Sequence, residues 1–385
     1  MNKLKIELHL LQNFPPSCLN RDDTNTPKTC EFGGVTRARV SSQCWKRAVR
    51  EQFKEIAPER RGTRSKRLRD ELKAALLSKG VGTAETLDVP LTNFLITLYA
   101  GMDKKRPEET NVLVFYSQAE FATMLEVLSE DGVLKGLTQT PPFIEKSKIE
   151  KRLKASALST DVALFARMLA DSPGLNVEAA CQVAHAISTH SVNLELDFFT
   201  AVDDLKDKNA SDDAGAGMLG TVGYDSACYY RYALVDDVQL VKNLNGSIGD
   251  ANASLKAFLE AFCEAIPGAK KNSFAHGNPP FLAFFVVRQA GTPSSLVNAF
   301  ARPVDSRNGN LLEDSARALA KQAGRLDACY ELYKDTQNPG SVKTFLAHTL
   351  DVPELPGLPT QQNLSMRKAI ESVLSAVAAY REAQA

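Results

Sequence analysis

The sequence has no excess of either charge, because its 46 Lys and Arg residues are balanced by 46 Asp and Glu residues. This balance argues against a uniformly cationic nucleic-acid coat but is compatible with a local basic patch. No uninterrupted apolar run approaches the ~18 residues of a membrane span. The N-terminus MNKLKIELHL has charges within its apolar run, unlike a signal peptide. We therefore expect a cytoplasmic protein without a membrane partner.

Metal-binding and disulfide patterns are also lacking. The seven cysteines are scattered, odd in number and contain no CxxC pair, which is typical of reduced thiols. His185 and His190 have no companion ligands nearby in the sequence, and core or capping roles are favoured for them. Adjacent aspartates occur at 22–23, 203–204, 212–213 and 236–237, in predicted loops without a His or Lys base. We predict no metal, no cofactor and no catalytic residue.

The first 60 residues predict a strand, a loop and a helix. Apolar and polar residues alternate over 4–12, which predicts a half-buried strand with Lys5, Glu7 and His9 facing solvent. A Pro-, Asn- and Asp-rich loop follows. Ser41 and Ser42 then suit the cap of a helix that reaches about residue 53.

The remainder alternates between helical and extended patterns. Residues 59–130 predict an inserted helical region, and 254–266 an amphipathic helix. Extended segments are predicted at 191–199, 227–235 and 279–289, with a long polar loop before the second of them. A sheet interrupted by long insertions indicates an α+β protein.

A basic strip covers residues 21–50. Its helical part begins with Ser41, Ser42 and Gln43, where helix amides and the positive dipole end favour a phosphate. Two interpretations stay open, a grip on a phosphate backbone or a solvated cationic face. The basic strip consists of Arg21, Lys28, Arg37, Arg39, Lys46, Arg47 and Arg50.

A second unusual segment joins two aromatic residues to an acidic stretch. In a strand Phe198 and Phe199 point to opposite faces, so that one ring is available to stack on a base, unless both belong to the core. Residues 195–213 contain seven acids and two lysines. An acidic projection and a basic surface on one chain suggest head-to-tail self-association.

Several segments resemble one family, in order along the chain. They are PPSCLNRDD, FGG, RVSSQCWKRAVR, VAHAISTH, DFFTAVDDL, YYRYA and PGAKKNSFAHGNP. Together they resemble the CasC-type backbone subunit of type I-E CRISPR Cascade complexes, from about residue 4 to about 300. Residues 59–140 and those beyond 300 match this pattern poorly.

The resemblance implies an RRM-like (ferredoxin-like) palm with a helical fingers insertion and a long thumb loop. The expected boundaries are 1–58 for the first part of the palm, 59–160 for the fingers, 161–192 for palm strands, 193–225 for the thumb loop, and 226–385 for the remaining palm and C-terminal helices. It also implies that copies of the chain polymerise head-to-tail along a CRISPR guide RNA, with other Cascade subunits. The guide is kinked at regular intervals and pairs with target DNA.

The resemblance also implies RNA-binding residues. Contacts to the guide backbone fall on Arg21, Lys28, Ser41, Gln43, Lys46 and Arg50. The wedge of the thumb falls on Phe199, with Thr200 beside it. The residue that meets this wedge at the kink of the guide falls on Met168. Leu219 falls on the returning arm of the thumb.

This sequence departs from the expected pattern in a few places. Cys44 and Trp45 replace smaller or aliphatic residues, and Phe198 stands where a Trp is expected. The thumb is longer and more acidic than expected, and we expect it to contact a basic surface such as 146–154 or 60–69 of a neighbouring copy. The alternative functions are a repeat-associated RNA-cleaving endoribonuclease and a generic single-strand RNA-binding protein.

Overall fold

The computed structural model describes residues 4–99, 101–170, 172–201, 218–333, 340–352, 354–360 and 362–383. The strands are β1 Lys5–Ser17, β2 Thr29–Phe32, β3 Val35–Val40, β4 Thr63–Ser65, β5 Val114–Tyr116, β6 Cys181–Val183, β7 Ala186–Ser188, β8 Glu195–Ala201, β9 Met218–Asp236, β10 Leu282–Arg288 and β11 Val342–His348. The helices are α1 Ser42–Ile56, α2 Leu68–Ser78, α3 Ala84–Tyr99, α4 Gln118–Ser129, α5 Val133–Leu137, α6 Lys146–Ala155, α7 Thr160–Phe165, α8 Asp237–Asn243, α9 Ile248–Glu264, α10 Lys271–Phe274, α11 Leu311–Tyr330 and α12 Met366–Glu382. Within the described part of the chain, no helix has the length and apolar character needed to cross a bilayer.

The chain forms two compact units. The palm unit comprises Met1–Gln52, Val183–Leu234 and Phe258–Ala385, and the fingers unit comprises Phe53–Gln182 and Val235–Ala257. The fold is α+β, with an RRM-like palm, a helical fingers insertion and a thumb, as predicted. Residues 161–182, which we expected among the palm strands, belong to the fingers unit and begin with α7.

A nine-stranded sheet organises the palm unit. Its order is β11-β10-β1-β9-β7-β3-β2, and β6 and β8 also pair with β9. β1 and β10 are antiparallel, with Lys5 opposite Arg288 and Leu11 opposite Leu282. The edge strand β2 pairs with β3 through the tight FGG turn.

Both faces of the central part of this sheet are buried, as the alternating residues 227–230 of β9 show. Ala227 and Tyr229 pack in one apolar cluster with Trp45 of α1. Cys228 and Tyr230 pack in a second cluster with residues of α11. The sheet is therefore covered by helical segments on both sides, and this second cover was not predicted.

The prediction of a solvent-exposed polar face on β1 is wrong for Glu7 and His9, which are buried. The Glu7 carboxylate accepts a 2.6 Å hydrogen bond from Arg288 Nε. It also accepts one from the Tyr232 hydroxyl at 3.2 Å. Burial lowers the pKa of His9 to about 3, and the Arg288 charge acts in the same direction. Glu7 is retained inside because partners on neighbouring strands satisfy its carboxylate, and His9 Nδ1 lies 2.9 Å from the Tyr230 hydroxyl.

The fingers unit has its own leucine-rich core. Leu72, Leu91, Phe94, Met124 and Leu153, from four different helices, belong to one cluster. This agrees with the narrow apolar faces of the charged helices in this region, because only one stripe of each helix is buried.

Candidate nucleic-acid interface

A rigid loop between β1 and β2 carries the first two predicted contact residues. The Asp22 carboxylate accepts hydrogen bonds from the backbone amides of Thr24 and Thr26, at 2.9 and 3.0 Å, and from both threonine hydroxyls. These bonds lower the pKa of Asp22. Arg21 is exposed and donates to Asn25 Oδ1, and Lys28 is half-buried at the end of the loop. The acid in NRDD therefore shapes the loop that presents the two cations.

The loop is tied directly to the start of α1. The Ser41 amide donates to Asn20 Oδ1 at 2.9 Å, and Ser41 Oγ accepts from the Cys44 amide at 3.2 Å. Ser41 is thus the helix N-cap, as predicted, and only 8% of it is exposed. Gln43 is exposed in the first turn, where helix amides have no intrahelical partner.

One face of α1 is buried and the other carries the cations. The predicted apolar stripe of Trp45, Val49 and Phe53 is confirmed, since all three are fully buried. Arg47 is exposed, whereas Lys46 and Arg50 are half-buried. The helix is therefore fixed on the sheet through its stripe, with its basic residues along the opposite side.

A buried cation anchors this stripe. The Arg231 guanidinium lies 3.7 Å from the centre of the Trp45 ring and 4.5 Å from that of Phe262. It donates to Gln12 Oε1 and to the Phe262 carbonyl. Burial lowers the pKa of Arg231 to about 9. Sequence reasoning missed this anchor, because no local pattern connects residue 231 with residue 45.

Strand β3 adds a further cation, Arg39, beside the loop that carries Arg21 and Lys28. Arg39 Nη1 lies 3.2 Å from His185 Nδ1. Burial lowers the pKa of His185, and the charges of Arg39 and Lys28 act in the same direction. Burial likewise raises the pKa of the Cys44 thiol to about 11, against the charges of Arg47 and Lys28. The Arg39 amide also donates to the Lys28 carbonyl at 2.8 Å, so the loop and β3 bring Lys28 and Arg39 together.

Arg37 belongs to the basic strip in sequence only. It is fully buried and donates to the carbonyls of Phe32, Ser188 and Phe300. Its guanidinium is therefore a structural clamp that cannot reach a phosphate. The other cations of the strip remain candidates.

The thumb, expected as a long loop at 193–225, is an antiparallel hairpin. Its first strand largely coincides with the extended segment predicted at 191–199, whereas its second strand begins where we predicted a polar loop. β8 pairs with the first part of β9, from Glu195 opposite Tyr224 to Ala201 opposite Met218, and we call these paired segments the thumb hairpin. Phe198 is 64% exposed and Phe199 is 37% exposed, so neither is core. Thr200 is exposed, and its backbone lies opposite that of Leu219. The acidic residues predicted to project from the thumb, Asp203, Asp204, Asp207, Asp212 and Asp213, lie outside the described residues.

The hairpin is joined to the rigid loop at its root. A Cβ placed on Gly223 would lie 3.0 Å from Thr26 Cγ2 and 3.2 Å from Pro27 Cδ. The glycine therefore permits a close approach between the loop and β9. The segment that carries Arg21 and Lys28 is thus packed against the base of the hairpin.

Met168 lies in the fingers unit and is 85% exposed. Its neighbour Arg167 is buried and forms an ion pair with Glu120 at 2.7 Å. Arg167 also donates to the carbonyls of Phe115 and Leu175. A bare apolar side chain on an anchored segment is suited to contact a partner.

Basic residues of the two clusters proposed as thumb partners, 146–154 and 60–69, pair with acids that lie outside these clusters in sequence. Arg152 pairs with Glu130, and Lys148 pairs with Glu145 at 2.8 Å. Arg60 pairs with Asp250 at 3.0 Å. Both clusters are therefore less positive than their sequence suggests.

Away from the thumb hairpin, three large aromatic residues of the central palm strands are closed to a stacking base. RRM-type sheets stack bases on exposed aromatic residues. Here Tyr230, Tyr232 and Phe284 lie in the cluster that contains α11 residues, and all are buried. In the same described residues, no group of three or more His, Cys, Asp or Glu side chains is arranged to hold a metal ion.

The sequence matches the model of the CT1975-like protein family over residues 6–355, and the chain belongs to that family. No curated protein matches it. A chain of a CRISPR RNA-guided surveillance complex in a pre-nicking state is 29% identical, with a TM-score of 0.83, and the match covers 97% of this chain and 99% of that one. A chain of another CRISPR RNA-guided surveillance complex is 24% identical, with a TM-score of 0.74 and the same coverage, and it supports the fold alone.

Proposed function

We propose that this chain is a non-catalytic CRISPR RNA-binding backbone subunit that polymerises along the guide RNA of a Cascade complex. The organised basic strip at the start of α1 carries the proposal. Family membership and the full-length similarity to a surveillance-complex chain support it. We further propose the CasC type of type I-E complexes, on the segments quoted above.

The palm unit is the part that grips the guide backbone. Arg21 and Lys28 approach phosphates from the loop, and Gln43, Lys46 and Arg50 from α1. Ser41 acts through the helix cap, because it is buried and its hydroxyl accepts a hydrogen bond from the Cys44 amide. Phosphate contacts of this kind fix register without reading sequence. Sequence recognition is left to base pairing between the guide and target DNA.

The thumb hairpin is the part that interrupts the stacked guide. Phe199 is the wedge, Thr200 and Leu219 flank it, and Met168 is its partner at the kink. An aromatic ring substitutes for the neighbouring base in a stack, at a gain of about 1–3 kcal/mol per base. Copies arranged head-to-tail, together with other Cascade subunits, would then expose guide segments at regular intervals.

The test is binding of guide-length single-stranded RNA by Lys46→Ala/Arg50→Ala, followed by anisotropy over a salt series. Loss of two phosphate contacts lowers the slope of log affinity against log salt by about 1.4 for a single strand. Arg367→Ala/Lys368→Ala is the matched control, because it removes one Arg and one Lys from α12, which packs on β10 and β11 at the far end of the sheet order. Equal slopes for both double variants would contradict the proposed grip.

RNA integrity in the same samples, with magnesium or with chelator, tests the non-catalytic assignment. The proposal predicts intact RNA in both. Cleavage that persists in purified protein would instead support the endoribonuclease alternative.

A further inference from the structure

The thumb hairpin pairs its proposed wedge with a glycine. Phe199 of β8 lies directly opposite Gly220 of β9. Side chains of directly opposed residues project to the same face of an antiparallel pair. A residue at position 220 with a side chain would therefore share a face with the Phe199 ring.

The ring occupies the space that such a side chain would need. A Cβ built on Gly220 would lie 2.4 Å from Phe199 Cζ and 2.7 Å from Cε1. Carbon atoms in contact are normally about 3.5–4.0 Å apart, so these distances represent a severe clash. The Phe199 ring therefore lies across the bare backbone of Gly220.

Phe198 provides an internal comparison on the same strand. Its cross-strand partner is Thr221, which has a side chain, and the Phe198 ring lies on the opposite face of the hairpin. Phe198 is 64% exposed against 37% for Phe199. The difference shows that the Phe199 ring is folded onto its own hairpin, whereas that of Phe198 extends into solvent.

We propose that Gly220 is a positioning residue, which seats the Phe199 ring so that its outer side meets a base of the guide RNA. The inference rests on the proposed role of Phe199 as the wedge. An aromatic ring packed over a cross-strand glycine is a known stabilising pair in sheets. A ring that is already held in place loses less conformational entropy when a base stacks on it.

The test uses Gly220→Ala in the full-length chain, bound to guide-length RNAs that carry 2-aminopurine at successive positions. The fluorescence of 2-aminopurine increases when this base is no longer stacked between its neighbours. With wild-type protein, positions of high fluorescence should recur at a regular spacing along the RNA. Gly220→Ala should lower the unstacked population by at least about fivefold, the lower end of the range for base–aromatic stacking. Its salt slope should match wild type, because no phosphate contact is lost.

Gly249→Ala is the matched control, because no atom lies within 4 Å of a Cβ at that position. It should retain the full pattern. The double variant Phe199→Ala/Gly220→Ala should show the same unstacked population as Phe199→Ala, since Gly220 acts only through the Phe199 ring. An additional loss in the double variant would show a separate structural effect and overturn the inference.

The outcomes separate the two proposals. If the fluorescence patterns of wild type and Phe199→Ala differ but Gly220→Ala retains the wild-type pattern, the positioning role of Gly220 is wrong. The proposed role of Phe199 as the wedge is then supported. If wild type itself gives no regular pattern, the proposed kink fails and the positioning role fails with it.

Discussion

Asp22 shows how a single acid contributes to a basic site. Its carboxylate accepts four hydrogen bonds from Thr24 and Thr26, and the loop it closes presents Arg21 and Lys28. Since each net hydrogen bond is worth about 0.5–1.5 kcal/mol, Asp22→Ala should loosen the loop. We expect RNA affinity to fall by about three- to tenfold, although a negative charge has been removed.

Asp23→Ala is the control for this prediction. Asp23 is the next residue and is exposed, so its substitution removes the same charge without the loop's hydrogen bonds. Filter binding at fixed salt would compare the two variants. If Asp22→Ala binds as tightly as Asp23→Ala, the organising role of Asp22 is wrong.

Asp225 gives a pH-dependent prediction at the root of the thumb hairpin. Burial raises its pKa from 3.8 to about 6, although the Tyr229 hydroxyl opposes the shift. The folded state therefore holds this proton more tightly than the unfolded state, so the contribution of Asp225 to stability falls as pH rises from about 4 to about 6. Above pH 6 the buried Asp225 carboxyl is ionised, and this lowers the unfolding free energy by about 3 kcal/mol.

Asp225→Asn should remove the pH-dependent part of the unfolding free energy that Asp225 contributes. Urea unfolding at pH 4 and at pH 7 would show a smaller difference between the two pH values in the variant than in wild type. The same pH dependence in both proteins would mean that Asp225 ionises freely in the folded state.

At the scale of secondary-structure elements, α1 depends on the Trp45 stripe. Trp45→Ala would leave a cavity beside α1 and remove the ring that faces Arg231. A substitution of this size costs about 3–5 kcal/mol of unfolding free energy. Denaturant unfolding measures this loss, and Trp45→Phe should recover most of it, because a ring remains to face the guanidinium. A cost below about 1 kcal/mol for Trp45→Ala would show that the stripe does not hold the helix.

The sequence predicted α1 well because its signals are local. The cap at Ser41 and the four-residue spacing of the stripe lie within one helix, and both are confirmed. It failed on β1, where Glu7 and His9 are buried by partners that are more than 200 residues away. Arg37 was misassigned for the same reason, since its acceptors lie on distant segments.

Glycine was the misleading signal in the thumb. Gly220 and Gly223 lie within the thumb loop expected at 193–225, and glycine is typical of loops, yet both lie in the 19-residue strand β9. Their role is close approach, to Phe199 in one case and to Thr26 in the other. Glycine inside a strand often marks such an approach, but the partner is visible only in the folded chain.

For the whole molecule, the proposed function requires that copies of the chain associate along RNA. The acidic residues of the thumb are the proposed means, and the basic clusters at 146–154 and 60–69 are the proposed partners. Asp212→Lys/Asp213→Lys should therefore weaken assembly on RNA at low salt, and added salt should reduce the difference from wild type.

Glu108→Lys/Glu109→Lys reverses the same number of charges elsewhere and serves as the control. Light scattering at a fixed RNA length would follow assembly in both. Assembly of the Asp212 and Asp213 variant at the control level would rule out an electrostatic contact through these residues.

The most direct test of polymerisation along the guide is the mass of the complexes formed on single-stranded RNAs of increasing length, measured by mass photometry. A backbone subunit that polymerises along the guide predicts a ladder, in which each fixed increment of RNA adds the mass of one protomer and the RNA stays intact. A single copy on every RNA regardless of length, or cleavage of the RNA, would contradict it.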